Sequence, residues 1–446
     1  EHRLLSVWMI HFAGTLGFGD LASLAGDGSL FAATAMEKLE HLQAELQPLA
    51  ERYDVVVANP PYMGSSNMNK WLAGWVKESF PDSKRDLCTC FIEHGFDTLT
   101  EYGYSAMVTM ESWMFLSSFE TMRKNLLRRH NITTMVYMNH MVMRIAFNTC
   151  ATVFANHHSD APGLYTKVEY ADLNENGVPF EFPVKKHGPK PKEGALEALA
   201  NPDCGWFYRC DASKFEVIPG SPIAYWAPEG ICLAFKNGIP LCSIASPRQG
   251  LATGENDRFV RQWWEVSRIH SEYNCGSLDE LRNRNGKWIP YNKGGEYRKW
   301  YGNNDYIISF DQDSFEALAN QGNHLPSRHL YFLPSITWSK ISSGVIAFRF
   351  KPQGGAFDVA GTSVFGTERD LMYLQGLCNS SIIMQVAALL SPTLNFEVGQ
   401  IATYPVIKDE AALDDVIKIV ENLRSDSKND WDSFEETWDF KRHPLV

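Results

Sequence analysis

Residues 52–64 read RYDVVVANPPYMG, and the candidate chemistry lies in the tetrapeptide Asn59-Pro60-Pro61-Tyr62. An amide side chain beside a proline carbonyl offers two acceptors. Together they can receive both protons of an exocyclic amine and leave its nitrogen lone pair directed outward as a nucleophile. Two successive prolines would hold that geometry, with Pro61 shaping the turn. No general base is called for, because the amine can shed its proton after its nitrogen has attacked a methyl group. Tyr62, at the same turn, presents a flat face on which an extruded nucleobase could stack. A proline-rich turn without chemistry is the alternative.

Such a turn must be held by something rigid. The run YDVVVA at 53–58 suits a strand buried on both faces. Further strands are expected at 104–109, 133–138 and 150–155, with helical spacing of apolar residues over 32–51, 85–101 and 116–130. This alternation predicts an α/β layer with a mostly parallel sheet. Ligands of such sheets sit beyond the carboxyl ends of the strands, where Asn59–Tyr62 falls. Residues 1–155 thus form one expected domain, and 156–204, rich in Pro, Lys and Gly, a connecting segment. Residues 205–405, with short strands, long loops and many aromatics, form a mixed α+β domain, and 406–446 a C-terminal helical tail.

A chain of 446 residues with 44% hydrophobic content has room for two or three domains of about 150 residues each. Nine cysteines without a C-x-x-C pair indicate neither a disulfide framework nor a zinc ribbon, which fits a reducing cytoplasm. Cys88 with Cys90 and His157 with His158 lack a second pair at ligand spacing, so no metal site is expected. The run SIIMQVAALL is too short to cross a bilayer, and no membrane partner is expected. No E-x-K triplet occurs, which argues against the common metal-dependent nuclease. The net charge of −12 argues mildly against nucleic acid. Against this, segment 282–300 carries Arg282, Arg284, Lys287 and Lys293, with Arg298 and Lys299, facing Glu296 alone and interleaved with Trp288, Tyr291, Tyr297 and Trp300. That composition suits a surface following a phosphate backbone, or a solvated basic loop. In GLATGENDRF, Asn256 and Arg258 could make bidentate contacts with base edges, although Asn256 could equally form a turn.

The stretch around Asn59 resembles the catalytic motif of amino-group DNA methyltransferases. DLCTCFIEHGFDTLTEYGYSAMVTMESWMFLSSFETMRKNLL is similar to the segment that follows this motif in large adenine-specific enzymes, and AFNTCATVF to the later motif whose aromatic packs on the flipped adenine. RQGLATGENDRFVRQWWEV, WIPYNKGGEYRKWYGN and LQGLCNSSIIMQVAALLSPTLNFEVGQIATYPV resemble the target-recognition region of single-chain adenine methyltransferases. The whole is similar to the PglX-type enzymes of BREX phage-defence systems. The resemblance implies the second half of a Rossmann-like methyltransferase sheet and a target-recognition domain at 205–405. It also implies methyl transfer from S-adenosylmethionine to the N6 amine of a flipped adenine in double-stranded DNA. Asn59 and Pro60 would then hold the amine, Tyr62 and Phe147 sandwich the base, and Asp20 accept from the cofactor's adenine amine. Phe147 as core and Asp20 as a capping residue are the alternatives. The Gly-rich cofactor turn of these enzymes, of the type D-P-A-C-G-S-G, does not occur, which implies a fragment of a longer protein. The rival reading is a non-catalytic module that reads DNA or docks other defence proteins or a phage-encoded inhibitor.

Overall fold

The structure, a computed structural model, describes residues 51–177, 207–342, 344–391 and 395–443, with Lys38, His41, Gln47 and Pro48 before them. Asp20 and most of the helix expected over 32–51 lie outside the described residues. The chain divides into two compact units, one of residues 1–216 and 220–225, the other of 217–219 and 226–446.

The first unit is built on a six-stranded sheet of order β1-β2-β4-β3-β5-β6. The strands are β1 (Tyr53–Ala58), β2 (Leu99–Met110), β3 (Asn131–Met138), β4 (Thr149–Ala155), β5 (Gly163–Val168) and β6 (Phe207–Cys210). β1, β2, β3 and β5 run in one direction, while β4 and β6 run against them. The loop 139–148 joins β3 to β4 as neighbours, and a direct connection of that kind requires antiparallel pairing. Three expectations are corrected here. The sheet is not mostly parallel, since three of its five strand pairings are antiparallel. The sheet does not end at 155, because β5 falls in the segment expected to be a connection and β6 in the one expected to open the second domain. Nor is β1 buried on both faces: it is the edge strand of the described sheet, and Val55 and Val57 are 60% and 76% exposed.

Helices α1 (Lys70–Ser79) and α2 (Leu87–Asp97) lie between β1 and β2 in the chain. Asn69 caps α1 by accepting from the Leu72 N–H at 2.8 Å, and Asp86 caps α2 by accepting from the Cys88 N–H at 3.0 Å. α2 buries Cys88, Cys90 and Ile92 and packs closely on β2. A Cβ at Gly95 would stand 2.7 Å from the Met107 methyl and 3.0 Å from Ser105 Oγ, so a larger residue there would force those side chains to shift. α2 stops at Asp97 rather than 101, since Leu99 already pairs with Tyr53 in β1. The helix expected over 116–130 starts later, as α4 (Glu120–Arg129), and the short turn α3 (Ser112–Phe115) precedes the expected range. Buried Arg123 of α4 ties these together, with Nη1 donating to the Trp113 and Leu116 carbonyls at 2.7 Å each and Nη2 to the Gly220 carbonyl at 2.7 Å.

The second unit holds two four-stranded sheets of short strands. One, of order β14-β10-β11-β9, contains β9 (Val260–Gln262), β10 (Trp288–Asn292), β11 (Tyr306–Ser309) and β14 (Ala356–Phe357). The other, of order β13-β12-β15-β8, contains β8 (Ser246–Arg248), β12 (Ser335–Thr337), β13 (Arg349–Lys351) and β15 (Ser363–Phe365). β7 (Ile239–Pro240) pairs with β16 (Pro405–Val406). Leu251, Phe259, Ile289, Ile308, Phe310 and Phe357 are among the residues of the apolar core. Helix α5 (Glu368–Cys378) packs against α7 (Leu413–Trp431), where Arg369 pairs with Asp414 at 2.6 Å, so the helix of the expected tail belongs to this unit. Between them in the chain, α6 (Ser381–Leu390) carries the apolar run SIIMQVAALL, with Ile383, Val386 and Leu389 buried. Among the described residues no single helix is long and apolar enough to cross a membrane; α5 and α6 pass such a test only as a pair bent by 77°.

Candidate active site

The turn Asn59–Tyr62 leaves the carboxyl end of β1, beside the parallel strand β2. Pro60 is buried and Asn59 exposed, so the amide is presented while the backbone behind it is anchored. The Tyr62 hydroxyl lies 3.2 Å from Asn59 Oδ1 and 3.3 Å from the Val108 carbonyl of β2, and donates toward both. An amide oxygen has two lone pairs, so Oδ1 retains capacity for a proton of an incoming amine. Burial, then the nearby Cys88 and Cys150 thiols, pushes the Tyr62 hydroxyl above its ordinary value, so it stays a donor through the neutral range.

Asp86 holds the far side of the turn. Its Oδ1 accepts from the Met63 N–H at 3.3 Å as well as from Cys88, the Leu87 N–H donates to the Met63 carbonyl at 2.9 Å, and the Ser65 N–H to the Arg85 carbonyl at 2.8 Å. The residues after the turn are thereby stitched to the start of α2. Cys88 behind them is buried, and burial pushes its thiol far up, so it stays neutral.

Phe147 comes to the same place from the β3–β4 loop. Its ring centroid lies 5.7 Å from that of Tyr62 with the planes at 81°, an edge-to-face contact, and it is 37% exposed. A base between them would need parallel planes roughly 7 Å apart, twice the contact distance of stacked carbons. One ring must therefore turn to admit it. The next residue, Asn148, enters a polar group that sequence reasoning missed. Its Nδ2 donates to Glu111 Oε1 at 2.8 Å and to the Tyr137 hydroxyl at 2.9 Å, and the Tyr137 hydroxyl donates to Glu111 Oε2. Burial pushes the Glu111 carboxyl above its ordinary range, partly offset by those two bonds and by Lys167. No local signal in the sequence marks this group, because only the pairing of β2 and β3 with β4 brings its members together.

In the second unit Arg282, Arg284, Lys287 and Lys293 each have an acidic partner, whereas Lys299 donates to the Asn379 carbonyl at 2.8 Å. Arg282 lies 3.6 Å from Asp279, Arg284 bonds Glu272 at 2.9 Å and also Glu280, Lys287 lies 3.7 Å from Asp311, and Lys293 3.9 Å from Asp358. Within the segment Glu296 is the one acid, but the fold brings others from as far away as Asp358. Arg258 lies 3.7 Å from Glu255 and over the Phe259 ring. The structure does bring Asn256 and Lys293 together: Lys293 Nζ donates to Asn256 Oδ1 at 3.1 Å, and Thr253 Oγ1 donates to the same oxygen at 2.7 Å. Among the described residues no three His, Cys, Asp or Glu side chains are grouped as metal ligands.

The sequence family described as Eco57I restriction-modification methylase matches residues 23–142, which include β1, the turn, α2 and β2. The chain is 35% identical over 474 residues to the adenine-specific methyltransferase BrxX of Escherichia coli O9:H4 (strain HS), covering 100% of this chain and 36% of that protein. It is 35% identical over 414 residues to the adenine-specific methyltransferase PglX of Lacticaseibacillus casei (strain Zhang), covering 89% of this chain and 33% of that one. The chain aligns along most or all of its length with these BrxX and PglX adenine-specific methyltransferases, and it spans about a third of the length of the curated relatives it matches. Among solved structures it is similar to the Type IIL restriction-modification enzyme MmeI in complex with DNA, at a TM-score of 0.47 and 10% identity over 86% of this chain and 50% of that one. A likeness so distant carries no functional argument.

Proposed function

We propose that this chain carries the acceptor side of methyl transfer from S-adenosylmethionine to the N6 amine of an adenine extruded from double-stranded DNA, and that the mark serves self-recognition in phage defence. The observation that carries the reading is the meeting of Asn59, Tyr62 and Phe147 at the carboxyl end of β1, in a chain whose curated relatives are named adenine-specific methyltransferases.

Asn59 Oδ1 and the Pro60 carbonyl accept the two amine protons and leave the lone pair free to attack. Tyr62 stacks on the base, while its hydroxyl, shared between Asn59 Oδ1 and the Val108 carbonyl, fixes the amide against β2. Phe147 turns from its edge-to-face contact to cover the other face of the base. S-adenosylmethionine supplies the methyl group when bound; Asp20, the residue assigned to it, lies outside the described residues.

DNA contact is assigned to the second unit. Lys293 and Asn256 are the strongest pair there, a cation and an amide meeting at the ends of two loops. Arg282, Arg284, Lys287 and Arg258 remain candidates whose ion pairs, like that of Lys293 with Asp358, would have to open or be shared with phosphate. The reading is tested by assaying N6-methyladenine formation on duplex DNA with a chain extended to the length of its relatives. Methylated adenine that depends on Asn59 supports it; a fully folded, cofactor-binding chain that leaves DNA unmodified overturns it.

A further inference from the structure

We infer that Glu111, Tyr137 and Asn148 are positioning residues that hold the backbone beside Phe147 fixed, so that the Phe147 ring swivels between closure on Tyr62 and stacking on a base. This rests on the proposed site reading and adds a device that the reading does not contain.

The three residues come from three strand ends. Glu111 follows β2, Tyr137 is the penultimate residue of β3, and Asn148 precedes β4. Asn148 is gripped at both levels: its side chain donates to Glu111 and Tyr137, and its carbonyl accepts from the Glu111 N–H at 3.3 Å. The rest of loop 139–148 is held mainly by its own short bonds, Met141 to Ile145 at 3.0 Å and Val142 to Asn139 at 3.1 Å, with Met141 and Arg144 in the left-handed region at φ 67° and 60°. Phe147 is too exposed for packing alone to hold it. Its ring meets Tyr62 by an edge, a contact weak enough for a base to displace. Withdrawing a carboxylate from water costs free energy that an apolar side chain of similar size would not, so the half-buried Glu111 at this junction marks a geometric requirement rather than a stability one. Three hydrogen bonds closing on one another in this way fix one geometry.

The test places 4-fluorophenylalanine at position 147 of this chain and follows its fluorine resonance. In the otherwise wild-type chain the signal is displaced from that of the unfolded chain, and Tyr62→Ala moves it by removing the neighbouring ring. Glu111→Ala and Asn148→Ala are expected to collapse the signal toward the mobile value, with Glu111→Gln retaining most of the displacement. Should the alanine variants fail to fold, Tyr137→Phe, which removes one hydroxyl and keeps the ring, is expected to give a partial shift. An unmoved resonance in the folded variants, Tyr137→Phe included, overturns the inference whether or not the protein methylates DNA. In the extended chain, Glu111→Ala is expected to raise KM for target DNA roughly tenfold, as for loss of two part-buried hydrogen bonds toward the low end of their usual range, with kcat little changed. A fall in kcat alone would also overturn it, whereas absence of methylation in the unaltered extended chain would overturn the site reading instead.

Discussion

Replacing Tyr62 by Phe separates the two things this side chain does. The hydroxyl contacts, at 3.2 Å to Asn59 and 3.3 Å to Val108, are long for an O–H···O bond. A single proton serves both acceptors, and Asn59 is exposed, so water can replace the lost donor. The cost then falls at the low end of the usual range, about 0.5 kcal/mol, or roughly a twofold loss of rate. Tyr62→Ala removes the ring as well, and base stacking contributes about 1–3 kcal/mol, so kcat/KM should fall roughly 5- to 150-fold. The edge contact with Phe147 goes too, which frees that ring and adds to the loss. The assay is methyl transfer to a duplex with one target site, using the extended chain. It is paired with 2-aminopurine fluorescence at the target position, which reports extrusion without chemistry. Tyr62→Phe and Tyr62→Trp are expected to stay near the wild type in both, and Tyr62→Ala to lose both. Equal damage from Phe and Ala would refute the argument, because it would place the function in the hydroxyl.

Other perturbations reach different parts of the account. Asp86→Ala removes the cap of α2 and the tether to Met63, and should lower stability by about 1 kcal/mol, with Asp86→Asn recovering most of it, as read from denaturant midpoints. Lys351 is buried with backbone carbonyls as its partners, Leu333 at 2.7 Å among them, and burial pushes its ammonium down to about 7. Its folded value lies below the unfolded one, so the unfolded chain binds the proton more tightly, and stability is gained as pH rises from about 7 toward 10.5. That slope, up to about 1.4 kcal/mol per pH unit, should be lost in Lys351→Met, and an identical slope in both proteins would contradict the assignment. Lys293→Ala should lower the slope of log affinity for DNA against log salt by roughly one unit, whereas Arg284→Ala, whose fork is already occupied by Glu272 and Glu280, should leave it unchanged. Equal changes in the two would show that the ion pairs around Arg284 open on binding.

Much of the first unit was legible because its cues are local. Val55–Val57 mark a strand, Asn59-Pro60-Pro61-Tyr62 marks its end, and the observed β1 matches the expected 53–58. What the run of valines could not convey is which faces are covered, since that depends on the neighbours of β1 in space. The sheet beyond 155 was missed because GLYTKV is short and lies beside a segment whose Pro and Lys content dominates any local reading. The ion pairing of the basic segment was hidden for a related reason. Charge was counted along the chain, while Glu272, Asp311 and Asp358 arrive through the fold. The Glu111, Tyr137 and Asn148 group escaped notice because its members are distant in sequence and carry no motif, and only the pairing of β2 and β3 with β4 joins them.

The central claim is that Asn59 orients the acceptor amine. Its direct test is N6-methyladenine formation by the extended chain and by its Asn59→Ala variant, on the same duplex with S-adenosylmethionine in excess. The side chain supplies one of two acceptors used in the transition state, so the variant should bind DNA normally and lose roughly 10²- to 10³-fold in rate. Methylation by Asn59→Ala at a near wild-type rate would contradict the account.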